Sequence, residues 1–302
     1  MAEVVPESKS RNLQQFLTHS KWNHRDVIDH VAQDADGLLG GPSACLLIDE
    51  SGFAKQGKES VGVSRQWLGR FGKVDNGQVA VFGALSDGFH VAPVDVRLYL
   101  PQKWTDDPER CERSGIPDEE QIFRTKIDLA EEIVQHARDN GLHYGWVGAD
   151  AGYGKGPGFC LTLDVMDDNS DIKISLSNAP KGTTLKRLGW MQRQRFWIER
   201  TFEDAKSECG MADYQVRKWR AWHHHMALVM MTMLFMLSER ISHEETYPLL
   251  SCADIENLLA HFLPRRDVTE EEVIFQLEER HRQRQKAIES HARCQAKKAE
   301  EG

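Results

Sequence analysis

A short apolar run ending in an acid occurs twice in this chain, and the pair constrains its fold more than any other feature. Cys45 to Ile48 leads into Asp49, and Tyr144 to Ala149 leads into Asp150. A brief apolar run bounded by turn residues reads as a strand buried inside a sheet. GGPS at 40–43 precedes the first run, and the glycine-rich stretch 152–158 follows the second. An acid at such a strand end is held rigidly at the mouth of the sheet. Hard divalent cations take carboxylates of this kind, and Mg2+ uses one or two per ion besides water. Asp49 taken alone reads better as a capping or turn aspartate.

The residues between and around the two acids supply the rest of the architecture. Arg11 to Leu39 carries two short amphipathic patterns. Ser60–Trp67, Gln78–Leu85 and Phe89–Leu98 read as strands, with tight turns expected at Asp75-Asn76-Gly77 and Ser86-Asp87-Gly88. The polar, proline-bearing stretch 101–117 reads as a loop. A helix is expected over Asp118–Asn140, capped by Asp118 and ended by Gly141. A strand over His143–Ala149 follows, then one over Ile172–Leu176. Helices are expected over Thr183–Glu208, Lys218–Ile241 and Ile255–Phe262, and an exposed, charged helix fading into a disordered tail over Thr269–Lys298. An antiparallel meander, a helix, and a strand returning beside the first is the ribonuclease H-like arrangement. The fold class expected is therefore α/β: a mixed sheet flanked by helices, with a helical C-terminal extension. The corresponding division is a helical N-terminal remnant at 1–43, a catalytic domain at 44–241 and a charged helical tail at 242–302.

Charge and cysteine content narrow the function. The longest apolar run, Met226–Leu237, falls short of the ~18 residues that span a bilayer, and the first residues, MAEVVPESKSR, hold no apolar signal core. No membrane partner and a cytoplasmic location are expected. The six cysteines are scattered without a C-x-x-C pair, which speaks against zinc or a disulfide framework. The net charge of −9 is unusual for a protein that handles nucleic acid, but Lys181–Arg220 holds ten basic residues against five acidic ones, and a local patch decides phosphate binding. His223, His224 and His225 are consecutive, so on a helix they point apart and make a poor chelate. Trp219 and Trp222 read as packing residues.

Within the expected helix 183–208, Arg195, Glu199 and Lys206 fall within about 40° of one another at 100° per residue, beside an apolar strip of Ile198, Phe202 and Ala205. Glu203 lies about 40° further round the same face, so helical geometry leaves both glutamates as candidates. The residues resemble a known family at this point. IDESGFAKQGKESVGVSRQWLGRFGKVDNGQVAV resembles the first-aspartate block of bacterial insertion-sequence transposases of the DDE superfamily endonuclease group, and GADAGYG resembles their second block. LSNAP followed by RFWIERTFEDAKSECGMADYQVRKWRAWHHHMAL resembles their third, with the signature Y-x2-R-x3-E-x6-K falling on Arg195, Glu199 and Lys206 and Gln192 standing at the tyrosine position.

The resemblance implies a DNA transposase core that cleaves phosphodiesters and transfers strands at insertion-sequence ends. Asp49, Asp150 and Glu199 would be the catalytic and metal-binding residues for two Mg2+ ions, with Mn2+ as a substitute. It implies DNA contacts at Arg195 and Lys206. Lys55, Lys58, Arg65 and Arg217 join them as basic residues of the matching blocks. Terminal repeats and target DNA would be the partners, handled by a homodimer on DNA associated with the nucleoid. Against the family pattern, the N-terminal DNA-binding region and the subdomain before the glutamate helix are expected to be short. Two alternatives stay open: a DNA-binding remnant or regulator that does not cut, and a nuclease-fold assembly protein that does not touch DNA.

Overall fold

The computed structural model describes residues 10–150, 152–153, 162–166, 172–176, 182–213, 217–264 and 269–300. In chain order the elements are α1 (Ser10–Thr18), α2 (His24–Leu39), β1 (Gly41–Ala54), β2 (Ser64–Leu68), β3 (Lys73–Ser86), β4 (Val91–Leu98), α3 (Gln102–Thr105), α4 (Pro108–Ser114), α5 (Lys126–Asp139), β5 (Tyr144–Ala149), β6 (Thr162–Met166), β7 (Ile172–Leu176), α6 (Leu185–Arg193), α7 (Arg195–Ser207), α8 (Trp219–Ser242), α9 (Cys252–Phe262) and α10 (Glu270–Glu300).

Residues 15–261 form one compact unit built on a five-stranded sheet. β3 is its spine. It pairs antiparallel with β1 along one side, and with β2 and then β4 along the other. β5 lies parallel to β1 on the far side, Leu46 opposite Val147 and Ile48 opposite Ala149. The expected mixed sheet, a meander plus one parallel strand, is therefore the observed one. The parallel pairing puts Asp49 and Asp150, each next after a paired residue, at the same end of neighbouring strands. β6 and β7 form a separate antiparallel pair.

Pleating sends alternate residues of β1 and β3 to opposite faces. On one face Gly83 lies so close to α5 that a Cβ there would meet Ile133 Cγ2 at 2.6 Å, which is why a glycine interrupts an otherwise apolar strand. On the other face Phe82 packs edge-on against Phe202 of α7, with ring centroids 5.1 Å apart. The core joins both layers: Leu46, Leu47, Ile48, Val81 and Leu85 from the sheet, Ile28 and Ile133 from α2 and α5, Ile198 from α7, and Trp222 and Met226 from α8 are all buried. The three histidines of α8 are structural ties. His224 places its ring nitrogens 2.8 and 2.9 Å from the Leu17 and Trp22 carbonyls, His223 faces the Trp219 carbonyl and His225 the Gly210 carbonyl. Trp219 and Trp222 are buried beside them, as expected.

Four local expectations change. Asp75-Asn76-Gly77 is no turn: β3 runs straight through it, and the reversal lies at 69–72, where Gly72 takes φ 59°. Gly77 is there for close approach, since a Cβ would fall 2.5 Å from the Phe53 carbonyl oxygen. Asn76 uses its side-chain amide to hold the Lys55 and Gly57 carbonyls. The stretch 101–117 contains α3 and α4, the latter opened by Asp107 as cap with Pro108 in the first turn. The next helix starts at Lys126 rather than Asp118, because Thr125 and Asp128 form a reciprocal capping box. The helix over 183–208 is two helices. Gln194 and Trp197 make bonds to Met191 and Gln194 with i−3 spacing, a tightened turn that separates α6 from α7.

The other unit is residues 1–14 with 262–302. Its described part is dominated by α10, which remains helical to Glu300 and leaves Val273, Ile274, Phe275 and Leu277 exposed. Most of the glycine-rich stretch 152–158 lies outside the described residues. No described helix is long and apolar enough to cross a membrane, and the described cysteines, 45, 111, 209 and 252, carry no disulfide.

Candidate active site

Asp49 closes the buried run of β1 but not the strand, although the sequence predicts a strand end there: β1 continues to Ala54, and Asp49 sits half-covered opposite Phe82, just past the last residue paired with β5. Its Oδ1 accepts the Glu50 backbone N–H at 2.8 Å. Asp150 follows β5, and its Oδ1 accepts the Gly152 N–H at 3.0 Å. Glu199 comes from the first turns of α7, where Ile198, Phe202 and Ala205 are buried against the sheet. The tightened turn at Gln194 places Arg195 at the head of that helix. Its guanidinium donates to Asp150 Oδ2 at 3.2 Å and to Glu199 Oε1 at 2.8 Å. One cation thus ties a strand-end acid to a helix-borne acid, and Glu199, not Glu203, is the glutamate that joins the strand acids. Glu203 instead accepts Arg200 at 3.2 Å.

Asp49 feels the same group. Burial pushes its carboxyl up to about 6; the Glu50 N–H and the Arg195 charge oppose the rise, and the Asp150 and Glu199 charges add to it. Arg195 in turn is stabilised as a cation: its burial is outweighed by the Glu199 bond and by the charges of Asp49, Asp150 and Glu199. Asp150 and Glu199 thus contact one guanidinium, whose charge also reaches Asp49. Among the described residues no three acidic, histidine or cysteine side chains form a ready-made metal cluster. The donors are nevertheless all carboxylate oxygens, the set a hard divalent cation takes, and Arg195 supplies the positive charge between two of them.

Three residues beside the acids escaped the sequence reading. Glu50 points to the opposite face, where Lys126 donates to it at 2.6 Å and the Tyr153 hydroxyl at 3.3 Å. Tyr153 is buried, and its hydroxyl is driven far above its ordinary value by burial and by Glu50, Asp49 and Asp150. This pairing anchors the residues that follow Asp150 to the strand carrying Asp49. The only signals in the sequence were a second acid next to Asp49 and an aromatic inside a glycine-rich stretch.

The basic candidates fall in two groups. Arg195 belongs to the acids. Lys206 lies one helical stretch further along α7, 3.4 Å from the Gly52 carbonyl and 5.3 Å from the Phe53 ring. Lys55 follows β1, half-buried and near Asp213, its ammonium pushed to a lower value by burial. Arg65 on β2 donates to the Val74 carbonyl. Lys58 is exposed on the β1–β2 connection, and its carbonyl accepts Arg110. Arg217 is exposed and its carbonyl accepts the Val61 N–H, beside that same connection.

A family model described as DDE superfamily endonuclease matches residues 1–165, more than half of the chain. The chain belongs to the DDE superfamily endonuclease family. The matched span includes Asp49 and Asp150 and stops short of Arg195 and Glu199. The chain is also similar to the "Probable transposase for insertion sequence element IS701" of Microchaete diplosiphon, 28% identical over 211 residues, which are 69% of this chain and 51% of that protein. It therefore spans about half the length of the curated relative it matches. The fold, a mixed sheet flanked by helices, fits the ribonuclease H-like class expected, and the likeness to an insertion-sequence transposase agrees with the resemblance read in the three sequence blocks.

Proposed function

We propose that this DDE endonuclease is the catalytic core of an insertion-sequence transposase, performing metal-dependent cleavage and strand transfer at the element's ends. The observation that carries the reading is that Arg195 bridges Asp150 and Glu199 while Asp49 and Asp150 each follow a paired residue on the neighbouring strands β1 and β5. Asp49, Asp150 and Glu199 would hold two Mg2+ ions, or Mn2+ in their place. When bound, such a pair activates the attacking oxygen and stabilises the departing 3′-oxygen of a phosphodiester.

The chain's own residues do the rest. Asp49 is poorly hydrated and surrounded by like charge, so its ionised form favours a cation beside it. Arg195 keeps Asp150 and Glu199 from repelling one another, and carries a planar set of donors suited to a phosphate. The Glu50–Tyr153–Lys126 pairing fixes the segment that presents Asp150. Lys206, Lys55, Lys58, Arg65 and Arg217 are the proposed phosphate contacts outward from the acids. The proposed catalytic domain is 44–241, preceded by the helical segment 1–43 and followed by the tail 242–302. Terminal repeats and target DNA are the proposed partners, a homodimer on DNA the working assembly, and the cytoplasmic nucleoid the location.

Nicking of supercoiled plasmid in Mg2+ tests the reading with the wild type, Asp49→Ala and Glu199→Ala. The wild type is expected to nick, and both variants to lose that activity while still binding DNA. Equal nicking by all three overturns the assignment, and salt-dependent binding without cleavage by the wild type leaves a non-cutting DNA-binding protein.

A further inference from the structure

Beyond its pairing with β1, β3 projects past the sheet. Ala54 opposite Gly77 is the last β1–β3 pair, while β2 continues to pair with β3 down to Leu68 opposite Lys73. The projecting piece is a two-stranded ribbon closed by the turn at Gly69–Phe71. Its two faces differ. On one, Leu68 is buried and folds over Gly52 and Gly77. On the other, Trp67 stands directly opposite Val74, and both are about half exposed, at 53% and 49%. Phe71 at the tip is 48% exposed. Among the described residues nothing in the core covers these large apolar side chains on the ribbon tip, since none of them belongs to it.

Register shows which face this is. Asp49 pairs with Phe82, and Phe82 and Val74 are separated by an even number of residues on one strand, so Asp49, Phe82, Val74 and Trp67 share a face. That is the face covered by α7. Along it lie in order the acids with Arg195, Phe202 on Phe82, Lys206 on Phe53, and Arg65 beside Trp67. At about 3.3 Å per residue the step from Phe82 to Val74 is about 27 Å, the rise of about eight base pairs of duplex. The segment 53–76 holds Lys55, Lys58, Arg65, Arg70 and Lys73 against Glu59 and Asp75, a basic island in a chain of net charge −9.

We infer that the β2–β3 ribbon is a DNA-contacting arm, with Trp67 and Phe71 packing on bases about eight base pairs from the phosphate held at the acids, and Arg65 on the adjoining backbone. The inference rests on the proposed action on DNA. The charge of the segment and its alignment with the acids select DNA over a second copy of the chain as the occupant. A two-stranded ribbon is narrow enough to enter a major groove, and apolar side chains wedged against a base step or stacked on bases are a recognised source of affinity.

The test is fluorescence anisotropy with a labelled 40-base-pair random-sequence duplex at 50 to 200 mM NaCl, using the full chain. Asp49→Ala serves as a site variant that keeps the arm. Trp67→Ala is expected to weaken binding about tenfold without changing the salt slope, since stacking releases no counterions. Trp67→Phe is expected to fall between Trp67→Ala and the wild type. Arg65→Ala is expected to lower the slope by about one. Wild-type affinity in Trp67→Ala and Phe71→Ala, with the wild type binding normally, overturns the arm and leaves the cleavage reading intact. A change in sedimentation from dimer to monomer in Trp67→Ala, without loss of DNA affinity, overturns it in favour of a self-contact. Absence of any salt-dependent binding by the wild type overturns the arm together with the reading beneath it.

Discussion

Asp49 and Asp95 sit on the same sheet, one strand apart from the shared spine β3, and their environments drive them in opposite directions. Asp95 of β4 pairs with Gly83 and faces the α2–α5 side. It is fully buried, yet Arg25 at 2.6 Å, Arg97 at 3.3 Å and the Val96 N–H satisfy it. Burial would raise its carboxyl, but the two guanidiniums hold it below the usual carboxylate range. Asp49 faces α7, has one backbone N–H, and shares its cation with two other acids. One acid is bonded to the fold. The other has one backbone N–H and the charge of a shared guanidinium, and is the proposed metal ligand. Desolvation without dedicated partners marks a candidate functional carboxylate, and it is the partners, more than residue type, that separate these two.

Replacing each acid sharpens that contrast. Asp95→Asn takes the nearest carboxylate from two partly buried guanidiniums, which keep only the longer contacts to Asp29 and Glu132, and is expected to cost about 2–3 kcal/mol, read as a lowered urea midpoint. Asp49→Asn is expected to leave the midpoint unchanged or slightly higher, because it removes an uncompensated charge. The same Asp49→Asn protein is expected to lose at least about a hundredfold in nicking rate, the several kcal/mol a bound metal contributes. An Asp49→Asn protein that is destabilised as severely as Asp95→Asn breaks the distinction.

Opposite pH limbs follow for the metal-free protein. Asp95 has a depressed value, so its stabilisation is present above the unfolded value and is lost as pH falls through the folded one. Asp49 is raised to about 6, so the folded chain binds the extra proton and stability declines as pH rises from about 4 through 6. Melting curves in chelator should show the second decline in the wild type and its disappearance in Asp49→Asn. The smallest effect concerns their shared vocabulary of arginine: Arg195→Gln is expected to lower the salt slope of DNA binding by about one with little change in melting temperature, whereas Arg97→Gln is expected to melt early and leave the slope alone.

Asp150 at the end of β5 and the order of elements were legible because a buried strand needs an apolar run; Asp49 was legible as the acid that closes such a run, but β1 continues past it to Ala54. The site helix was legible through its apolar strip, and its third acid through a resemblance that geometry alone did not supply. What sequence concealed were contacts between distant segments. Gly77 looked like half of a turn because its neighbour is Asn76, and only the third dimension shows the Phe53 carbonyl at its back. Glu50 looked like the unused neighbour of Asp49, since Lys126 and Tyr153 lie 76 and 103 residues away. Trp67 alternated like any strand residue, and no pattern tells that the strand opposite it has left the sheet.

Arg195 has a last consequence under the proposed reading. A guanidinium bonded to Asp150 and Glu199 competes with any divalent ion for those oxygens. An ion that settles there must first displace it, and a displaced guanidinium is free to take a phosphate. Thermodynamic reciprocity then requires that DNA raise the affinity for the ion by the same factor by which the ion raises the affinity for DNA. On the proposed reading the arginine would make the ion and the DNA mutual effectors, each raising the other's affinity by the same factor.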